Sequence, residues 1–118
     1  MILKNKNGEV VEEGIKSIKN ASYFIEKGKI VAIKGIGGYH LSCNALDEEV
    51  VEKLRERKNR IDKPFALMAR DIKTIEEFCY ISKEEKEYLN SWQSPIVLLK
   101  KKNNKIPSIV APSNNYLG

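Results

Sequence analysis

Gly35, Gly37 and Gly38 fall within four residues, between the apolar run Ile30-Val31-Ala32-Ile33 and the segment Tyr39-His40-Leu41-Ser42-Cys43. Glycine accepts positive φ at no steric cost, so such a cluster breaks regular structure and reverses the chain. A short apolar run bounded by turn residues reads as a buried strand, and the alternation after the glycines reads as a second one. A hairpin turn accounts for the glycines by itself. A second reading stands beside it, in which the missing side chains let a ligand approach the backbone. The spacing matches neither familiar phosphate loop. Position 40 is His40 where a dinucleotide fingerprint needs glycine, and no Gly-Lys-Ser/Thr follows.

Around this turn the chain alternates between element types. Residues 1–12 read as a lead-in strand or tail turning at Asn7-Gly8. Ile15, Ile18, Ala21, Tyr23, Phe24 and Ile25 predict a helix from about Glu13 to Lys27, closed by Gly28. Asp47 with Glu48 and Glu49 predicts the start of a helix running to about Lys58. Pro64 to Ala69 reads as a strand, and Asp71 opens a short helix through Phe78. Ser82-Lys83-Glu84-Glu85 is a capping box for a helix to about Trp92, with Tyr88, Leu89 and Trp92 packing it and Ser94-Pro95 stopping it. Ile96 to Leu99 reads as a strand, Lys100 to Lys105 as a basic loop, and Ile109 to Gly118 as extended or turn-like. The order predicts an α/β (α+β mixed) domain, an open twisted mixed sheet flanked by helices. A chain of 118 residues makes one domain, with residues 13–118 as its core. The ending Asn-Tyr-Leu-Gly is neither a capped helix nor a polar tail, and reads as a sheet left incomplete.

Composition narrows the function classes. No apolar run approaches the roughly 18 residues of a membrane span, and the N-terminus lacks a signal-peptide core. Cys43 and Cys79 form no CxxC pair, which suits a reducing cytoplasm and gives no zinc or other metal site. A net charge of +5, from 21 Lys and Arg against 16 Asp and Glu, fits a nucleotide or RNA partner, or simple solubility.

The candidate site residues follow from spacing. Lys58 lies four residues beyond Leu54 and eight beyond Val50, on the inner stripe of the predicted helix. Arg60 and Lys63 follow before Pro64, so three cations gather at one helix end. They suit either the helix dipole or a phosphate, with arginine as a fork and lysine as a point charge. Ser113 and Asn115, if extended, point the same way. The lone His40 has no nucleophile beside it in sequence and is not expected to act as a base. Lys100-Lys101-Lys102 reads as a solvated loop, or as an RNA contact.

Four blocks then carry a family resemblance: GKIVAIKGIGGYHLSCNA, LRERKNRIDKPFALM, SPIVLL and APSNNYLG. In this order and spacing they resemble the YrdC-like domain of HypF hydrogenase-maturation proteins, within the wider YrdC/TsaC family. The resemblance covers about Gly28 to Gly118. That family marks its nucleotide site with a Lys-x-Arg and a distal Ser-x-Asn, and Lys58/Arg60 and Ser113/Asn115 look like these. The resemblance implies that the chain binds ATP with Mg2+ and a carbamate derived from carbamoyl phosphate, forming carbamoyl-adenylate. The carbamoyl group then passes to the C-terminal cysteine of the partner HypE, on the way to the cyanide ligand of nickel–iron hydrogenase. Lys58 and Arg60 would be catalytic, with Lys63, Ser113 and Asn115 also holding the nucleotide. Lys34, Gly35, Gly37, Gly38, Tyr39 and His40 would line the acceptor site. TsaC-like relatives carry Pro-Thr-Glu/Asp-Thr where this chain has Lys34-Gly35-Ile36-Gly37, which favours an acceptor smaller than threonine. Ser94 stands where HypF proteins usually carry an arginine. Zinc motifs belong to a neighbouring domain of HypF, and an isolated part of the domain is expected to be weak or inactive. The alternatives are a YrdC-type module binding double-stranded RNA or tRNA, and a threonylcarbamoyl-adenylate synthase.

Overall fold

A computed structural model describes residues 1–118. Its packing divides into two compact units, Met1–Leu54 and Arg55–Gly118.

In the first unit, β1 (Ile2–Lys4) and β2 (Val10–Glu13) form an antiparallel hairpin. The Asn5 side-chain oxygen accepts the Asn7 and Glu9 amides, and Gly8 takes φ 85°, so the residues read as a lead-in close on themselves. The hairpin packs on α1 (Ile15–Glu26). Helix α1 ends where the sequence predicts. The amides of Gly28 and Lys29 bond to the carbonyls of Ile25 and Phe24 at 3.1 and 2.9 Å, a Schellman cap in which Gly28 takes φ 69°. A Cβ there would lie 3.3 Å from an Asp47 carboxylate oxygen, so Gly28 also permits close packing. Next come β3 (Val31–Gly35) and β4 (Gly38–Ser42), joined by the two-residue turn Ile36-Gly37. Helix α2 (Glu48–Arg57) starts with the Asp47 carboxylate accepting the Val50 amide at 3.2 Å. It carries Val50, Val51 and Leu54, all buried, and leads from the first unit into the second.

The second unit buries Cys79, Leu99, Ile106, Val110, Ala111 and Leu117. Helix α3 (Ile72–Glu76) is capped by Asp71, whose carboxylate accepts the Thr74 amide and hydroxyl at 2.8 and 2.7 Å. These bonds, the amide first, hold the Asp71 carboxyl below its ordinary pKa. Helix α4 (Lys83–Leu89) opens on the expected capping box, with Ser82 and Glu85 bonded reciprocally. Strands β5 (Leu99–Lys100) and β6 (Tyr116–Leu117) pair antiparallel, and a short 3-10 turn occupies Ser108–Val110.

The mixed α/β class is the one expected. Its strands pair as three two-stranded antiparallel ladders and not as one mixed sheet. Pro64 to Ala69 forms no regular strand. Pro64 has no amide to give, and only the alternate amides of Phe65 and Leu67 bond, to the carbonyls of Val110 and Gly118. Helix α4 stops at Leu89, short of the expected Trp92, because Asn90 takes the C-cap. Trp92, beyond the helix end, is 89% exposed, and Tyr88, within the helix, is 64% exposed, so neither packs the helix as expected. Residues 96–98 are outside any ladder, so the expected strand shrinks to Leu99–Lys100. No helix is long and apolar enough to cross a membrane.

Candidate anion-binding site

Lys-x-Arg is built into the end of α2. The helix stops at Arg57, one residue before the sequence expectation. The Asn59 amide bonds to the Glu56 carbonyl at 2.9 Å and the Arg60 amide to the Arg55 carbonyl at 3.0 Å. This pairing is a Schellman cap, with Asn59 left-handed at φ 46°. Lys58 is therefore the C-cap residue and is exposed, not aligned with the inner stripe of the helix. Its carbonyl-rich helix end favours cations, but the cap also fixes Lys58 and Arg60 on either side of a rigid turn. Asn59→Val is expected to lower stability by about 1–2 kcal/mol in urea unfolding, because a β-branched side chain resists the left-handed region. Asn59→Gly is expected to leave stability unchanged or higher.

The residue on the inner stripe is Arg55, which sequence reasoning passed over. It lies four residues after the buried Val51 and is only 8% exposed. Positions 50, 51, 54 and 55 together make the helical stripe, and that spacing was the available signal. Its guanidinium donates to five carbonyl oxygens. Nε and Nη2 reach Ile109 at 3.1 and 2.5 Å, and Nη2 also reaches Val110 at 3.4 Å. Nη1 reaches Arg60, Ile61 and Lys63 at 2.6, 2.9 and 3.2 Å. Arg55 thus ties the turn after α2 to the Ile109–Val110 segment. Arg60 donates to the Lys63 and Pro64 carbonyls at 3.2 and 2.9 Å. Both guanidiniums stack on Phe65, at 4.7 and 5.3 Å from the ring centroid.

The charges at this turn are unpaired. The ion pairs of the fold are Arg70–Asp71, Lys86–Glu76 and Lys105–Glu77. Arg55, Lys58, Arg60 and Lys63 have no carboxylate partner. Residues 55–63 carry five cations, Arg57 among them and Arg55 buried, against the two acids Glu56 and Asp62, none of them ion-paired, so the segment is net positive.

The other sequence candidates are arranged differently from expectation. Ser113 sits in a turn at φ 54°, so the alternation that would point Ser113 and Asn115 the same way does not apply. Asn115 is exposed, and its carbonyl accepts the Lys101 amide at 2.9 Å. In the glycine hairpin, Lys34 pairs with Tyr39, Gly35 with Gly38 and Ile33 with His40. Strand alternation therefore sets Lys34 and Tyr39 on one face and Gly35, Gly38 and His40 on the other. The hairpin does not bring all six expected acceptor residues to one surface. A Cβ on Gly35 would lie 3.6 Å from the His40 ring, so the imidazole packs over the bare glycine backbone.

The basic loop is largely committed to the fold. Lys101 Nζ donates to the Ala111 carbonyl and Lys102 Nζ to that of Glu76, both at 3.4 Å, while Lys105 lies 3.9 Å from Glu77. Neither cysteine is poised as a nucleophile. Burial, then the charge of Asp47, pushes the Cys43 thiol up, and burial outweighs Lys101 in raising Cys79. No cluster of three or more His, Cys, Asp or Glu side chains is present to hold a metal ion.

The fold is mixed α/β, with a net-positive turn at the end of α2 as its candidate anion site. Comparison with known proteins gives the family. The Sua5/YciO/YrdC family, described as "Telomere recombination", matches residues 23–118. The chain belongs to that family. It is 44% identical over 115 residues to the carbamoyltransferase HypF of Synechocystis, which spans 97% of this chain and 15% of that protein. It is 33% identical over its whole length to a putative threonylcarbamoyl-AMP synthase of Methanocaldococcus jannaschii, covering 59% of it. A crystal structure of full-length HypF in a phosphate- and nucleotide-bound form superposes at TM-score 0.83 with 49% identity, over 92% of this chain and 15% of that one. A Pyrococcus abyssi Sua5 structure superposes at 0.72 with 29% identity, over 91% of this chain and 33% of that one. The chain thus spans about 15% of the HypF proteins it matches. These relatives are carbamoyltransferases and threonylcarbamoyl-AMP synthases, so the family is one of transferases.

Proposed function

We propose that this chain is the nucleotide-binding part of a HypF-type carbamoyltransferase acting in nickel–iron hydrogenase maturation. It binds ATP, carrying its own Mg2+ on the phosphates, together with carbamate derived from carbamoyl phosphate. The observation that carries the reading is the turn of Lys58, Arg60 and Lys63, whose cations lack carboxylate partners. The similarity to HypF proteins, 38–49% against 29–33% for the threonylcarbamoyl enzymes, supports the carbamoyl branch.

The chemistry asks for these groups. A carbamate oxygen attacks the α-phosphorus of ATP, the bond to the bridging oxygen breaks, and pyrophosphate leaves with its electron pair. The product is carbamoyl-adenylate. An anion approaches an anion, so the site must supply fixed positive charge where charge builds up. Lys58 and Lys63 provide point charges, and Arg60 provides donors held by its bonds to the Lys63 and Pro64 carbonyls. Positioning supplies most of the acceleration, and no general base is required. Ser113 and Asn115 contact the nucleotide in this reading on resemblance alone. The glycine hairpin serves the acceptor through one face, and Gly35 and Gly38 with His40 are the smaller-walled choice. The HypE cysteine thiolate then attacks the carbamoyl carbon, the bond to the adenylate oxygen breaks, and AMP leaves.

Exchange of labelled pyrophosphate into ATP tests the acceptor. Carbamate, supplied as ammonium carbamate, is expected to support slow exchange, and threonine with bicarbonate is expected not to. Exchange that depends on threonine would move the chain to the threonylcarbamoyl branch. An RNA-binding role gains little support from the lysine loop, because Lys101, Lys102 and Lys105 are held by Ala111, Glu76 and Glu77.

A further inference from the structure

We infer that Arg55 is the positioning residue of the anion site, and that it recruits the backbone amides of Ile61 and Asp62 as phosphate donors. The inference rests on the nucleotide reading above and adds to it a role for the buried guanidinium and for two main-chain groups.

The geometry starts from the carbonyls. Arg55 Nη1 draws the Arg60 and Ile61 carbonyls inward, at 2.6 and 2.9 Å. A trans peptide is planar, with its N–H antiparallel to its C=O. All peptide bonds here are trans. Each carbonyl pulled inward therefore turns the next amide, that of Ile61 or Asp62, away from Arg55. Neither amide has an acceptor within the chain. Ile61 is 75% exposed, and Asp62 and Lys63 are exposed as well. Successive outward amides make an anion-binding concavity. Here they lie in sequence between Arg60 and Lys63. The third inward carbonyl, that of Lys63 at 3.2 Å, is followed by Pro64, which has no N–H, so the amide row ends there.

The electrostatics agree. The five carbonyls around Arg55 satisfy its donors without neutralising its charge, because no carboxylate pairs with it. A buried cation in that state adds to the field that Lys58, Arg60 and Lys63 project. Asp62 opposes this field, but it is exposed, as Lys58 and Lys63 are, so solvent screens all three alike and the buried Arg55 keeps the balance positive. Lysine at position 55 would keep the charge but not the fork, and could not hold Arg60, Ile61, Lys63 and Ile109 together.

Titration with ATP·Mg2+ followed by amide NMR and calorimetry tests this. In the wild type, the Ile61 and Asp62 amides are expected to move downfield on binding, and the Arg55 Nε–H is expected to exchange with solvent several-fold more slowly. Coupling is reciprocal, so a ligand that depends on the Arg55 cage must also tighten it. A purely structural arginine would slow only as much as the amides of α4, which report global stabilisation by the ligand, so the slowing that counts is the excess over α4. Arg55→Lys is expected to weaken ATP about tenfold, while amide exchange in α4 stays unchanged. Saturating binding with the Ile61 and Asp62 amides unmoved and Arg55 exchange slowed no more than that of α4 would overturn the inference while leaving the nucleotide reading intact. So would equal affinity in a folded Arg55→Lys. A wild-type chain that does not bind ATP·Mg2+ would overturn both. If Arg55→Lys fails to fold, the two wild-type measurements decide the matter alone.

Discussion

Arg55→Ala is expected to lower the unfolding free energy by about 3 kcal/mol, the cost of removing one partner from a buried charged network. For a chain of this size that corresponds to a fall of roughly 10 °C in Tm. The reason is local. Truncation leaves the carbonyls of Arg60, Ile61, Lys63, Ile109 and Val110 without their shared donor. It also empties volume beside Phe65, over which the guanidinium lies. The control is Arg57→Ala, two residues on and exposed, expected to change stability by less than about 0.5 kcal/mol. Thermal unfolding followed by circular dichroism separates the two. Equal Tm values for both variants would mean that the carbonyl cage contributes nothing.

The second large effect is on binding. Lys58→Ala combined with Arg60→Ala is expected to weaken ATP·Mg2+ by about 100-fold, taking roughly tenfold for each charge-assisted hydrogen bond removed. Equilibrium dialysis with labelled ATP measures it. Lys58 is exposed and carries no hydrogen bond of the fold, so its removal is expected to leave Tm unchanged. Arg60 also holds the Lys63 and Pro64 carbonyls, so Arg60→Lys serves as a second variant. It keeps the charge without the fork, and is expected to fall between wild type and Arg60→Ala. The affinity difference between wild type and the double variant should shrink as salt rises, because the interactions removed are ionic.

Local signals in the sequence were legible where chemistry is local. Gly28, Asp47, Asp71 and the Ser82–Glu85 capping box act through bonds to residues within five positions, and each closes or opens a helix as read. The hairpin around Gly35 and Gly38 was legible for the same reason. What failed depends on distant partners. Pro64 to Ala69 has a strand-like composition, but its amides meet Val110 and Gly118, which no periodicity reveals. Trp92 looks like a core residue and is exposed because the helix that would have carried it stops at Leu89.

The candidate site divides in the same way. Lys58, Arg60 and Lys63 were legible as a cluster because they are neighbours in sequence. Their arrangement was not, since it rests on Arg55 reaching the Ile109 carbonyl 54 residues away. An arginine in a charged helix reads as solvent-facing, and only the Val51–Arg55 spacing hints otherwise. Ser113 and Asn115 were read as extended, but a left-handed residue at 113 has no sequence signature as clear as a glycine. The faces of the glycine hairpin follow from register, and register depends on the two-residue turn being Ile36-Gly37, which the glycine spacing alone leaves open.

Calorimetric titration of the folded wild-type chain with ATP·Mg2+ tests the central claim most directly. Saturable one-site binding is expected, weakening with salt and falling about 100-fold in the Lys58→Ala, Arg60→Ala variant. No binding by a chain with native circular dichroism, or equal binding by that variant, would contradict the claim.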